Sequence, residues 1–207
     1  MIGDDLALKQ PSVMDASTVM ALLRRDHRRL CAVLERVESE VAAQADVDAL
    51  RADERRQGRV LAMLGFLHEY AERVHHPVEN RLFDRLIEKG LTPSERRVVF
   101  VTMSQHEEIL GDLLGLQEAL RRLHEESAGA EGGTLATTLR TRATCHLDAH
   151  KRHLQFEESQ LLPLIESRLT ARDWREVEEE LSAQIGAITQ VCEAEFLPVF
   201  RAILEAA

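Results

Sequence analysis

Apolar residues recur three and four positions apart over most of this chain, the period of a single buried helix face. From about Ser17 to Ala43 they fall at Met20, Leu23, Leu30, Leu34, Val37 and Val41, and His27 takes the slot between Leu23 and Leu30. A second helix is predicted from Asp53 to Lys89, stopped by Gly90. Its seam reads Leu61, Leu64, His68, Ala71, His75, Val78, Leu82. A third opens at "LTPSE", with Thr92 as N-cap, Pro93 in the first turn and Glu95 closing a capping box. Its seam is Val99, Met103, His106, Leu110, Leu113 and Leu120, and it fades in "HEESAGAEGGT", read as a flexible loop. A fourth runs from about Leu135 to Leu169 through Leu139, Arg142, His146, His153, Glu157, Gln160 and Leu164. A second capping box, Thr170 to Asp173, starts a short fifth helix, and "AEFLPVFRAILEA" closes the chain as a further amphipathic piece. The expected fold is all-α: an up-down-up-down four-helix bundle over 17–169, an N-terminal extension over 1–16 and a C-terminal helical extension over 170–207.

Composition agrees with helix. The 207 residues include only 10 Gly and 5 Pro, with one Trp and one Tyr, so the core is aliphatic. A net charge of −10 argues against nucleic acid or an anionic membrane as a partner. No apolar run is long enough to span a bilayer, and the acidic start "MIGDDLALKQPSVMD" is not a secretory signal. Cys31, Cys145 and Cys192 lie far apart and read as reduced thiols, which points to the cytoplasm.

The seams carry the chemistry. One histidine on a buried face is ordinarily a core residue with a hydrogen-bond partner. Here all four long helices carry one: His27 and His106 early, His75 and His153 late. Antiparallel packing brings the early part of one helix beside the late part of the next, so the four converge on one layer. The chain also repeats itself, with 48 positions from His27 to His75 and 47 from His106 to His153. Glu79 and Glu157 each follow a late histidine by four residues and share its side of the helix. Four imidazoles and two carboxylates are costly to bury alone. Two metal ions bridged by the carboxylates would satisfy them. Mixed His/carboxylate donors without thiolate suit iron better than magnesium, calcium or structural zinc.

The segments "DHRRL", "RVHHPVENRLF", "QHEEI", "HLQFEESQLLP" and "LTARDW", in that order, resemble the bacterial hemerythrin-like proteins of the HHE cation-binding type. The resemblance implies a four-helix bundle around two non-haem iron ions joined by an oxo or hydroxo bridge. His27, His75, His106 and His153 would be terminal ligands, and Glu79 and Glu157 would bridge. It implies binding or sensing of dioxygen, nitric oxide or peroxide. Oxygen carriers of this type use a fifth histidine four residues from the one on the third helix. Thr102 and Leu110 stand there in this chain, which favours sensing or redox chemistry over simple oxygen carriage.

Other groups are weighed against these six. Glu158 sits about 140° from His153 around the helix and Glu157 about 40°, which favours Glu157 as the donor. His76 lies about 100° from His75 and is expected beside the shell or in solvent, as is His150. His124 is expected to be exposed. His68 and His146 precede candidate ligands by two turns and should face inward as a polar layer. Pro77 removes a hydrogen bond to the Arg73 carbonyl and should bend or loosen its helix. A ferritin-like oxidase needs Glu-x-x-His on two helices; Glu72 to His75 is one match and the fourth helix has none. Peroxidase turnover on the same centre stays open. Iron donation for iron–sulfur repair is disfavoured, because relatives thought to do this carry a cysteine-bearing N-terminal segment not found here. Finally, Phe196, Val199, Phe200 and Ile203 share an apolar face that either folds back on the bundle or makes a homodimer, and the acidic surface elsewhere tilts the choice to a dimer.

Overall fold

A computed structural model describes residues 16–42, 53–125, 130–177, 179–181 and 197–205. The regular elements among them are helices, with no strand. They are α1 (Ala16–Ala42), α2 (Glu54–Tyr70), a π turn (Ala71–His75), α3 (His76–Glu88), α4 (Pro93–Glu125), α5 (Ala130–Phe156), a second π turn (Glu157–Leu161), α6 (Leu162–Arg168) and α7 (Leu197–Glu205). A short helical stretch at 171–177 lies between α6 and α7.

The helix ends follow their local chemistry. Asp53 caps α2 by accepting from the Arg56 N–H at 3.0 Å. Gly90, at φ 69°, ends α3 in the left-handed region that a side chain would strain. At Thr92 the capping box is complete: its N–H donates to Glu95 Oε2 (2.8 Å), and the Glu95 N–H donates back to Thr92 Oγ1 (3.4 Å). Thr170 and Asp173 repeat this at 2.7 and 3.4 Å. The loop expected at 124–134 is narrower, since helix resumes at Ala130. The N-terminal extension, most of the fifth helix beyond 181 and Phe196 lie outside the described residues.

The seam shifts at the second π turn. Gln160 is exposed and Leu161 is fully buried, although the seam placed Gln160 inside. The π turn adds a residue to the turn and shifts the buried face on by one. Arg142 and Met103 are exposed as well, and Ala143 and Thr102 take the interior positions beside them. Pro77 does not simply loosen its helix. The His76 N–H reaches back to the Ala71 carbonyl in an i→i+5 bond, and the proline follows directly. Leu162, Glu157 and Pro163 repeat the device in the second π turn.

α1 packs against α2 and α5, and α4 packs against α2 and α5. Cross-links fix the directions. Asp26 meets Tyr70 and Glu40 meets Arg56, so α1 and α2 run antiparallel. Arg24 meets Glu166 and Glu38 meets Lys151, so α1 opposes the α5–α6 run as well. The core divides in two. One apolar cluster takes Leu30, Leu34, Leu64, Leu67, Leu116 and Leu147 among others; the second takes Met20, Leu23, Leu82, Phe83, Val99 and Leu161. In each long helix the candidate metal-binding residues fall where the chain passes from one cluster to the other. α7 lies on α1 and α2, where Ile203 is buried and Phe200 sits 6.1 Å from Phe66. The apolar C-terminal face is thus largely taken up by the same chain, and Val199 stays exposed.

Candidate metal centre

The layer between the clusters holds the six side chains singled out by spacing. Glu79 and Glu157 are completely buried, and His27, His75 and His153 nearly so. Their donor atoms form two adjacent sets. His27, His75, Glu79 and Glu157 offer atoms within 4.8 Å of one another, as do His106, His153 and Glu157. Each carboxylate divides its oxygens between the sets. Glu79 Oε1 lies 3.4 Å from His75 Nε2, while its Oε2 lies 3.4 Å from His106 Nε2. Glu157 Oε2 lies 3.4 Å from His27 Nε2, while its Oε1 lies 3.2 Å from His106 Nε2 and 3.1 Å from His153 Nε2. This is the disposition two bridging carboxylates need.

The π turns sit at the site. The first ends on His75 and the second begins on Glu157. An i→i+5 turn holds more residues per turn than an α turn, so it re-aims side chains without ending the helix. Glu157 takes the interior position and Glu158 does not. Glu158 instead accepts a hydrogen bond from His27 Nδ1 at 2.8 Å, and it is partly exposed. A carboxylate can only accept, so the proton is on Nδ1. His153 Nδ1 likewise donates to Gln105 Oε1 at 3.1 Å. Gln105 and the outer role of Glu158 escaped the sequence reading; each is a neighbour of a candidate ligand, and adjacency alone did not say which way it points.

The electrostatics are those of a cluster short of positive charge. Burial by itself would lower His27, yet the facing Glu79 and Glu157 carboxylates push it up to about 9. His75 is driven well below its usual range, by burial first and then by the charge of His27. Burial raises Glu79, and the charge of Glu157 adds to this. Burial would raise Glu157 too, but hydrogen bonds from His106 and His153 hold it well below the ordinary carboxylate range. Protons here do work that a cation would displace. Protons do not complete it. Both His75 nitrogens, both Glu79 oxygens, His27 Nε2 and Glu157 Oε2 are buried without a hydrogen-bond partner among the described residues. Orphaned donors and acceptors at such depth cost about 1–3 kcal/mol each, and a bound cation would satisfy them together. The donor set therefore fits a metal.

A family model for the hemerythrin HHE cation binding domain matches residues 18–165. The chain belongs to that family. Curated proteins offer no match to it. Hemerythrin-like domains bind metal cations, and the His/Glu layer is the place in this one with the donors to do so.

The remaining histidines divide. His76, expected beside the shell or in solvent, stacks on His106 with ring centres 4.0 Å apart. His150 is buried, with Nδ1 unpartnered, and His146 is buried with both nitrogens unpartnered. Their rings lie 5.7 Å apart. His68 is half-buried and, with His76, His106, His150 and His153, lines a cavity against Leu67, Leu110 and Leu113. That cavity has room for about one or two water-sized molecules. The side chain of His124 lies outside the described residues. Cys31 and Cys145 are free thiols away from the cluster, Cys31 packed on the core and Cys145 exposed.

Proposed function

We propose that this protein is a non-haem di-iron protein of the hemerythrin type that binds or senses dioxygen, nitric oxide or peroxide. The observation that carries the reading is the division of the Glu79 and Glu157 oxygens between two histidine pairs. His27 and His75 hold one ion, His106 and His153 hold the other, and the two carboxylates bridge. The frame is an up-down-up-down four-helix bundle, which the antiparallel cross-links support. Two iron ions bound there would supply one-electron redox chemistry and open positions for a small ligand. The chain supplies the rest. His27 and His153 are held in one tautomer by Glu158 and Gln105. The apolar clusters on either side keep bulk water from the layer. The cavity beside His106 and His153 has room for a diatomic molecule or peroxide.

Among the described residues no helix is long and apolar enough to cross a membrane, in keeping with a cytoplasmic role. Anaerobic loading with ferrous iron tests the reading. Two irons per chain and a near-ultraviolet ligand-to-metal band after oxidation are expected. Spectral titrations with oxygen, nitric oxide and peroxide then separate binding from peroxidase turnover. Iron below one per chain under these conditions rejects the proposal.

A further inference from the structure

The two halves of the layer are unequal in their surroundings. His27 and His75 meet Glu79 and Glu157 in full burial, whereas the His106 and His153 half opens on the cavity. On α4, the positions one turn either side of His106 offer no donor to an ion. The Thr102 hydroxyl is engaged with the Val98 carbonyl at 3.2 Å, and Leu110 is apolar. Yet a third donor set forms on this side: His76, Glu79 and His106 offer atoms within 4.8 Å of one another.

We infer that His76 is a third nitrogen donor to the cation held by His106 and His153, reaching it from α3 where α4 has no side chain to give. The inference rests on the di-iron reading above. Its first support is construction. His76 Nδ1 donates to Glu72 Oε1 at 3.0 Å, one turn back on the same helical run. Nε2 is then the nitrogen left for a cation, as it is in His27 and His153, whose Nδ1 atoms are held outward by Glu158 and Gln105. Three histidines around the layer thus share one arrangement: an acceptor on Nδ1, with Nε2 as the second ring nitrogen. Its second support is placement. The His76 ring stacks nearly parallel on His106, at 19°, and a nitrogen of each ring and a Glu79 oxygen lie within 4.8 Å of one another. Its third support is the backbone. The i→i+5 turn that ends at His75 brings successive side chains closer around the axis than the α-helical spacing of about 100°. Adjacent histidines, which a regular helix would point apart, can then serve adjacent ions.

The test uses the full-length chain, loaded anaerobically with ⁵⁷Fe(II), with each step followed by metal analysis and Mössbauer spectroscopy. In H76A one ion should bind as in the wild type. The other should bind about 10–100-fold more weakly, the range for losing a supporting group at a metal. Its quadrupole doublet should change, and millimolar imidazole should restore both affinity and doublet. H76Q, which keeps the side-chain volume, gives the same readout should H76A fail to fold. If either variant holds both ions with wild-type affinity and unchanged doublets, His76 is not a ligand and the inference is wrong. If the wild type itself does not hold two irons, the di-iron reading fails and takes this inference with it.

Discussion

Glu157 and Glu158 are chemically identical neighbours, and position gives them different work. Glu157 sits at no measurable exposure among four imidazoles; Glu158 faces outward, between His27 Nδ1 and the Arg24 guanidinium, 3.6 Å away. Removing each should separate the roles. E157A strips a bridge and should abolish paired iron binding. E158A leaves the His27 ring free to turn and should weaken one ion by about tenfold, with fold stability within about 1 kcal/mol of wild type. Competition with a ferrous chelator measures the first quantity and urea denaturation the second. Equal losses in the two variants would contradict the division. The same scale accounts for Tyr70, the one tyrosine. Its hydroxyl donates to the buried Asp26 carboxylate at 2.7 Å, tying α1 to α2 one residue before His27.

At the scale of elements, the two π turns each end one residue before a residue–proline pair, His76-Pro77 and Leu162-Pro163. Proline has no N–H, so it makes no demand on the carbonyl four residues back. The wider register can therefore relax into an α-helix at that point. P77A restores a donor and lets the α register compete. Apo P77A should keep its helical circular dichroism and lie within about 1 kcal/mol of wild type. Its iron affinity should fall by about tenfold as His75 and His76 turn away. Unchanged iron affinity would show that the π turn stands without the proline. The capping box after α6 makes a separate prediction about acid. Burial would raise Asp173, but Lys89, 2.6 Å away, and Thr170 hold it down to about 2. A carboxyl depressed in the folded state stabilises above the ordinary carboxylate range, near pH 4, and that stability is lost as pH falls towards 2. D173N should therefore be about 1–2 kcal/mol less stable than wild type at pH 7, and the gap should close near pH 2. A gap that persists at pH 2 would argue against the ionised carboxylate as its source.

For the molecule as a whole, the layer separates two apolar clusters. Apo protein must keep its orphaned groups buried, whereas the loaded form satisfies them. Free metal at about 100 times its dissociation constant adds about 2.7 kcal/mol per site. At roughly 2–4 °C per kcal/mol for a chain of this length, chelation should lower Tm by several degrees per ion. Calorimetry with and without a strong chelator checks this, with E79A as the control that should show almost no difference. An apo form melting at the loaded temperature would mean that the layer is not where metal binds. α7 belongs to this scale too. It covers part of α1 and α2 near Phe66, where Phe200 and Ile203 pack.

Helical period, caps and the repeated His-x-x-x-Glu spacing are local properties, and they were legible in the residues alone. So was the convergence of the six candidate side chains on one layer, because antiparallel helices bring early and late positions to one level whatever the details of packing. Three things needed the tertiary structure. The π turns depend on hydrogen bonds that shift by one acceptor, and no residue type announces such a shift; it moved the buried face from Gln160 to Leu161. The outer acceptors Glu158, Gln105 and Glu72 are identified only by where a ring on their own or another helix points. The third was His76. By an α-helical wheel it points away from His75's side, but the local backbone and the packing of α4 bring it against His106. A wheel assumes a uniform rotation per residue, and this chain departs from that rotation at its site.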